Sequence, residues 1–256
     1  MARKNIIKAI IACLFASIVS TVYCEPPEAL VGASLARDNE FPYLVSIRID
    51  NNLHCGGCII GPYHILTAAH CVVPLLDAEP GEVTIVAGTN NLYSGGQVYE
   101  PSLYIRHHDF NPKNPWINDI GIIKLASPIE FNDRVKPIAL PTQKPPVHTN
   151  AIIGAWGATS SYPRRASPLL RKLNLKTLSQ DECQSYFSSI DIKSSQICTL
   201  VQKNVGTCSG DSGSPLSLFN EVIGIVSGGI PCARGIPDVF TSVYSYLSFI
   251  KYAITL

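Results

Sequence analysis

Ser212 stands beside Asp211 and between two glycines in the run Gly206-Thr207-Cys208-Ser209-Gly210-Asp211-Ser212-Gly213-Ser214-Pro215. A serine hydroxyl is a poor nucleophile near neutral pH unless a base takes its proton. The chain offers such a base and a group to orient it. His70 lies in Thr67-Ala68-Ala69-His70-Cys71, and Asp119 lies in Asn118-Asp119-Ile120-Gly121-Ile122-Ile123. Each has a plainer reading alone: a turn for Gly-Asp-Ser-Gly, a core histidine for His70, a strand-start cap for Asp119. Together, in the order His, Asp, Ser over one domain's length, they point to acyl transfer. Ser212 is then the nucleophile, His70 the general base, and Asp119 the group that orients and stabilises the imidazolium.

These residues need a frame. Short apolar runs recur between turn signals: Tyr43 to Ile47, Cys58 to Ile60, Val83 to Ala87, Ile120 to Leu125, Ala151 to Gly154 and Val222 to Val226. All read as strands. Nineteen prolines and eighteen glycines punctuate them, as an all-β protein requires. Only the last stretch, Val243 to Ile254, spaces its apolar residues as a helix would.

The chain opens with Arg3, Lys4 and Lys8, an apolar run from Ala9 to Val19 and a small-residue exit, the pattern of a secretory signal peptide over 1–24. The apolar run is short for a membrane span of about 30 Å. Net charge is +1, which supports neither a nucleic-acid nor a membrane partner. Nine cysteines in a secreted chain imply disulfides. With Cys13 and Cys24 in the leader, an odd number remains, and spacing alone does not fix how they pair. No Asn-x-Ser/Thr sequon occurs, so N-glycosylation is not expected. Gly88 to Tyr93 lacks the carboxylates a calcium loop needs, and no metal or cofactor is expected.

The chain resembles the chymotrypsin-like (trypsin-like) serine proteases from about Leu30 to its end. The marks are the three motifs above with Leu30-Val31-Gly32, Phe41-Pro42-Tyr43, His54-Cys55-Gly56-Gly57 and Ala155-Trp156-Gly157. The segment Gly229 to Val239 looks most like arthropod chymotrypsin and collagenase-type members. The resemblance implies a propeptide over 25–29 and a protease domain over 30–256. That domain would hold two six-stranded antiparallel β-barrels, about 30–141 and 142–242, and a C-terminal helix over 243–254. It pairs Cys55 with Cys71, Cys183 with Cys198, and Cys208 with Cys232. Cys58 is left over, read as a small buried thiol on a strand or, alternatively, as a reactive or intermolecular thiol.

The resemblance also assigns roles. The backbone N–H groups of Gly210 and Ser212 would form the oxyanion hole, with Ser214 standing where the family has glycine. Gly206, Ser227, Gly229 and Asp238 would shape the specificity pocket. Gly206 takes the place of the trypsin pocket's aspartate, while Asp238 adds a carboxylate on the opposite wall. Large apolar side chains are therefore expected at the cut, with weaker tolerance for Lys or Arg. Asp211 would pair with the Leu30 amine freed by cleavage, although Glu25 to Ala29 offers no Lys or Arg to an activator. Gly228 replaces the family's usual aromatic, and Trp116 either fills that gap or merely packs its loop. The expected function is a secreted serine endopeptidase, monomeric, acting on proteins or peptides and open to protein protease inhibitors. The alternative is a catalytically silent binding protein on the same fold.

Overall fold

The computed structural model describes residues 31–160, 165–230 and 232–256. The signal peptide, the propeptide segment and Leu30 lie outside the described residues.

Two curled antiparallel sheets and short helices make up the molecule. Its strands are β1 (Ser34–Leu35), β2 (Leu44–Ile49), β3 (Asn52–Gly61), β4 (His64–Thr67), β5 (Val83–Ala87), β6 (Gln97–Tyr99), β7 (Pro101–Arg106), β8 (Gly121–Leu125), β9 (Asn150–Ala155), β10 (Arg171–Lys176), β11 (Gln196–Thr199), β12 (Pro215–Leu218), β13 (Glu221–Gly228) and β14 (Asp238–Ser242). The helices are α1 (Ala69–Val72), α2 (Gln180–Ser185) and α3 (Leu247–Ala253). One sheet runs β6-β5-β2-β3-β4-β8-β7 and the other β1-β10-β9-β12-β13-β14-β11. Each sheet has seven strands rather than the six expected. The edge strands β1 and β6 are two and three residues long, too short to leave a pattern in the sequence.

Strand β2, Leu-Val-Ser-Ile-Arg-Ile, is buried along most of its length because β3 and β5 flank it and the core covers it. β-Branched residues on such a covered surface pack well. Its hairpin to β3 turns on Asp50 and Asn51, both at positive φ (51° and 62°), and the β12–β13 hairpin turns on Phe219 and Asn220 (50° and 62°). Two residues at positive φ make the turn whose twist suits a hairpin.

The chain exchanges its ends between the halves. β1, near the start, pairs with β10 in the second sheet. Ile250 and Ala253 of α3 belong to the same buried cluster as Val45, Ile47 and Ile122 of the first sheet. The C-terminal helix begins at Leu247, later than the expected Val243, because Tyr244–Tyr246 form a 3₁₀ turn. The segment Lys136 to Thr142, which carries Pro137 and Pro141 and links the two halves, is stitched to the second sheet at Ala139, whose carbonyl accepts from Val222 N at 2.9 Å. Disulfides join Cys55 to Cys71, Cys183 to Cys198, and Cys208 to Cys232, the pairing the resemblance implies. Cys58 is free and fully buried on β3, and burial pushes its thiol pKa up. A thiol so enclosed and so weakly acidic fits the reading of a small packing residue.

Candidate active site

His70 sits on α1, the single turn that follows β4, and Asp119 lies just before β8. β4 and β8 are neighbours in one sheet, which brings the two residues together. Asp119 is fully buried. Its Oδ1 accepts from His70 N at 2.8 Å, and its Oδ2 contacts His70 Nδ1 at 2.7 Å. A carboxylate can only accept, so Nδ1 carries the proton and Nε2 keeps a free lone pair. That is the tautomer a general base needs. Two further groups from the other sheet fix Asp119. Ser227 Oγ donates to Oδ2 at 2.6 Å, and Thr241 Oγ1 donates to the Asp119 carbonyl at 2.7 Å. A buried carboxylate is tolerated when such donors surround it.

Ser212 comes from the second half, in the turn before β12. Its carbonyl accepts from Gly56 N at 2.8 Å, which docks the turn on β3. Gly213 is at φ +77°, and a side chain there would strike Thr67 Oγ1 and the Gly56 carbonyl. Only glycine allows this approach. Within the turn the N–H groups alternate. Those of Asp211, Gly213 and Ser214 donate to Cys208, Val226 and Asp211 carbonyls. Those of Gly210 and Ser212 have no acceptor among the described residues. Two unpaired donors within one turn are groups that can serve a developing negative oxygen.

Beside Ser212 opens a cavity of about 160 Å³ lined by Thr207, Cys208, Ser209, Ser212, Val226, Gly228, Gly229 and Asp238. Asp238 is nearly buried, and its Oδ2 accepts from Thr207 N at 2.8 Å. That oxygen lies 2.8 Å from where a Gly206 side chain would begin, so the carboxyl occupies the space Gly206 leaves open. Burial pushes the Asp238 pKa up to about 6 against the pull of the Thr207 hydrogen bonds. Of the four residues expected to shape the pocket, Gly229 and Asp238 line it, Gly206 abuts the Asp238 carboxyl, and Ser227 turns its hydroxyl to Asp119. Thr207 and Val226 line it as well. Sequence reasoning missed both, since neither side chain advertises a role.

Asp211 is fully buried, with Gly157 N donating to Oδ1 at 2.9 Å and Cys208 N to Oδ2 at 2.8 Å. Val31 packs against Ala158, Cys208 and Cys232, and its carbonyl accepts from Gly206 N at 3.2 Å. Burial pushes the Asp211 pKa up to about 8, the two hydrogen bonds oppose this, and nearby Asp238 adds to it. Ser214 Oγ is buried without a partner, packed on the Gly56 backbone. The Trp116 indole lies over Gly228, in the space a side chain there would take. It also meets Phe187 edge-on at 5.8 Å. Trp116 thus occupies the gap at Gly228 and packs its loop at once.

Comparison with known proteins gives a consistent picture. The family model described as Trypsin matches residues 30–250. The chain is 34% identical to Trypsin II-P29 of Gallus gallus, over 94% of this chain and 95% of that one. It is 36% identical to Chymotrypsin-2 of Vespa crabro, over 87% and 98%. It is 31% identical to Hypodermin-A of Hypoderma lineatum, over 98% and 97%. Among solved structures, mouse neuropsin, described as a serine protease of the limbic system, superposes with a TM-score of 0.80 at 28% identity, over 87% of this chain and 99% of that one.

Proposed function

This chain belongs to the trypsin family of serine endopeptidases, and we propose that it cleaves peptide bonds with Ser212 as nucleophile, His70 as base and Asp119 as its orienting partner. The observation that carries the reading is the grip of Asp119 on His70, 2.8 Å to the backbone and 2.7 Å to Nδ1, in a molecule whose Ser212 lines an open cavity. Ser212 Oγ attacks the scissile carbonyl while His70 Nε2 takes its proton. The carbonyl oxygen gains charge and meets the N–H groups of Gly210 and Ser212. Losing one such donor typically costs about 3–4 kcal/mol of barrier. His70 then protonates the leaving amine, and water repeats the sequence on the acyl-enzyme.

The cavity takes the side chain on the acyl side of the cut. Its volume of about 160 Å³, with Gly228 and Gly229 offering no side chains to it, favours large apolar groups, and the Asp238 carboxyl gives weaker acceptance of Arg or Lys. Secretion follows from the leader over 1–24 and fits three disulfides. Cleavage before Leu30 would free an amine to pair with Asp211, and the position of Val31 beside Cys208 supports that route. Substrates are proteins or peptides, and protein inhibitors that fit the cavity are expected partners.

A fluorophosphonate probe on the secreted protein tests the reading. Labelling at Ser212 and peptidase activity should both vanish in Ser212→Ala, with circular dichroism unchanged. Near-normal peptidase activity in that variant would remove Ser212 as nucleophile. N-terminal sequencing of active material should begin at Leu30; a start at Glu25 would exclude the pairing with Asp211.

A further inference from the structure

We propose that His107, His108 and Asp109 bind one divalent cation of the zinc class, and that filling this site slows proteolysis by shifting Asp119. One nitrogen of each ring and one Asp109 oxygen lie within 4.8 Å of one another. His108 Nε2 already stands 3.2 Å from Asp109 Oδ2. Bonds of about 2.0–2.2 Å at tetrahedral angles separate adjacent ligands by about 3.3 Å, so this pair has the span a zinc ion needs. Two imidazoles and one carboxylate suit zinc, copper or nickel, whereas calcium and magnesium prefer all-oxygen sets. The His108 and Asp109 side chains are 80% and 66% exposed, so an ion enters from solvent and keeps water as its remaining ligand.

The turn is not a loose surface pair. The two rings stack with centroids 4.5 Å apart, so His108, the exposed ring, turns out of the stack to aim a nitrogen at the ion, while His107 rests on Tyr246 at 5.3 Å and Phe249 at 5.0 Å. Asp109 N donates to His107 Nδ1 at 3.3 Å, a long contact that ligation can displace. The turn is also tied to both neighbours of Asp119. His107 N donates to the Ile120 carbonyl at 3.0 Å. Asn118 Nδ2 donates to the Asp109 carbonyl at 3.2 Å, and Tyr246 OH donates to Asn118 Oδ1 at 2.9 Å. Asn118 holds a left-handed φ of 55°, which leaves its peptide link to Asp119 little freedom. Closing three ligands onto an ion draws in the Asp109 backbone and, through Asn118, displaces Asp119. A misplacement of about 1 Å remote from the reacting atoms can cost on the order of 10²-fold in rate.

The binding step stands on its own; the slowing rests on Asp119 orienting His70. Isothermal titration of Zn²⁺ into the mature protein and into Ser212→Ala should find one ion per chain in both, weakened about tenfold or more in His108→Ala and in Asp109→Asn. Both altered side chains are exposed, so folding is not at stake. In the peptidase assay kcat should fall as the site fills, while His108→Ala keeps the metal-free rate and loses the response. No binding at about 1 mM, or equal binding by His108→Ala, overturns the site. Inhibition that persists in His108→Ala places the inhibiting ion elsewhere and overturns it too. Binding with unchanged kcat overturns the link to Asp119. Binding by a chain that shows no peptidase activity at all supports the site and counts against the catalytic reading.

Discussion

Asp238 is the residue where burial and charge compete most openly. Its pKa, pushed up to about 6 by burial, divides the working pH range. Below that value the pocket floor is a neutral carboxyl; above it, an anion. The ratio of kcat/KM for Arg over Phe at the cut should therefore rise as pH goes from about 5 to about 7.5. Both substrates use the same catalytic groups, so any pH dependence they share cancels in the ratio. Asp238→Asn should flatten the profile, and a flat profile in the unaltered enzyme would mean the carboxyl never meets substrate. Ser214 presents the reverse case, a polar atom with nothing to do. Its hydroxyl is buried without a partner, and leaving such a group unpaired costs about 1–3 kcal/mol. Ser214→Ala should raise the urea midpoint at unchanged slope, a gain of about 1 kcal/mol in unfolding free energy, with kcat preserved. A lower midpoint would show that the hydroxyl is satisfied after all.

At the scale of elements, the end of β13 and the loop before β8 have settled one space between them. Trp116 fills what Gly228 vacates. Gly228→Trp should drive the indole out and lower kcat/KM on extended peptides, and Trp116→Ala should do so by leaving a void. The exchange double variant should recover a large part of either loss, because the two sites share one volume. Strictly additive losses would show that they are independent. The same elements explain what the sequence could disclose. Val83 to Ala87 reads as a strand because four of its five residues are β-branched and only Thr84 interrupts the apolar run, and β5 has those bounds. β7 begins on proline, so its strand character is carried by partners distant in sequence, whereas β10 alternates lysines and asparagine with its two buried leucines, a half-buried strand pattern that a search for apolar runs passes over. α2 did leave a signal, the capping box of Ser179 and Glu182, which the hydrophobic reading passed over. The candidate catalytic residues were legible because their chemistry restricts residue type. The Ser227 hydroxyl on Asp119 was not, since a serine beside a glycine could face either way.

For the molecule as a whole, Asp211 couples stability to pH. Its raised value means that the folded chain binds a proton which the unfolded chain has lost between about pH 4 and pH 8. The contribution is therefore fully present below about pH 4 and is lost as pH rises toward 8. The uncleaved chain should show this decline, on the order of a few kcal/mol, in its denaturant midpoint, and Asp211→Asn should lack it. A Leu30 amine paired with the carboxylate should remove the slope in the cleaved form. An uncleaved chain with a midpoint independent of pH would show that Asp211 has a counter-charge already. The halves meet through direct bonds: Tyr43 OH donates to Ser217 Oγ at 2.8 Å, and Gly56 N to Ser212 O at 2.8 Å.

The exchange of chain ends has a bearing on biosynthesis. β1 emerges from the ribosome early but finds its partner only when β10 has been made. The core around Val45 and Ile122 lacks Ile250 and Ala253 until synthesis has passed Ala253. Neither half can mature while the other is still being assembled, and domains that fold as units during synthesis normally do not share strands this way. A ribosome that stalls before Ile250 thus releases a chain whose first core is still open, not a finished hydrolase.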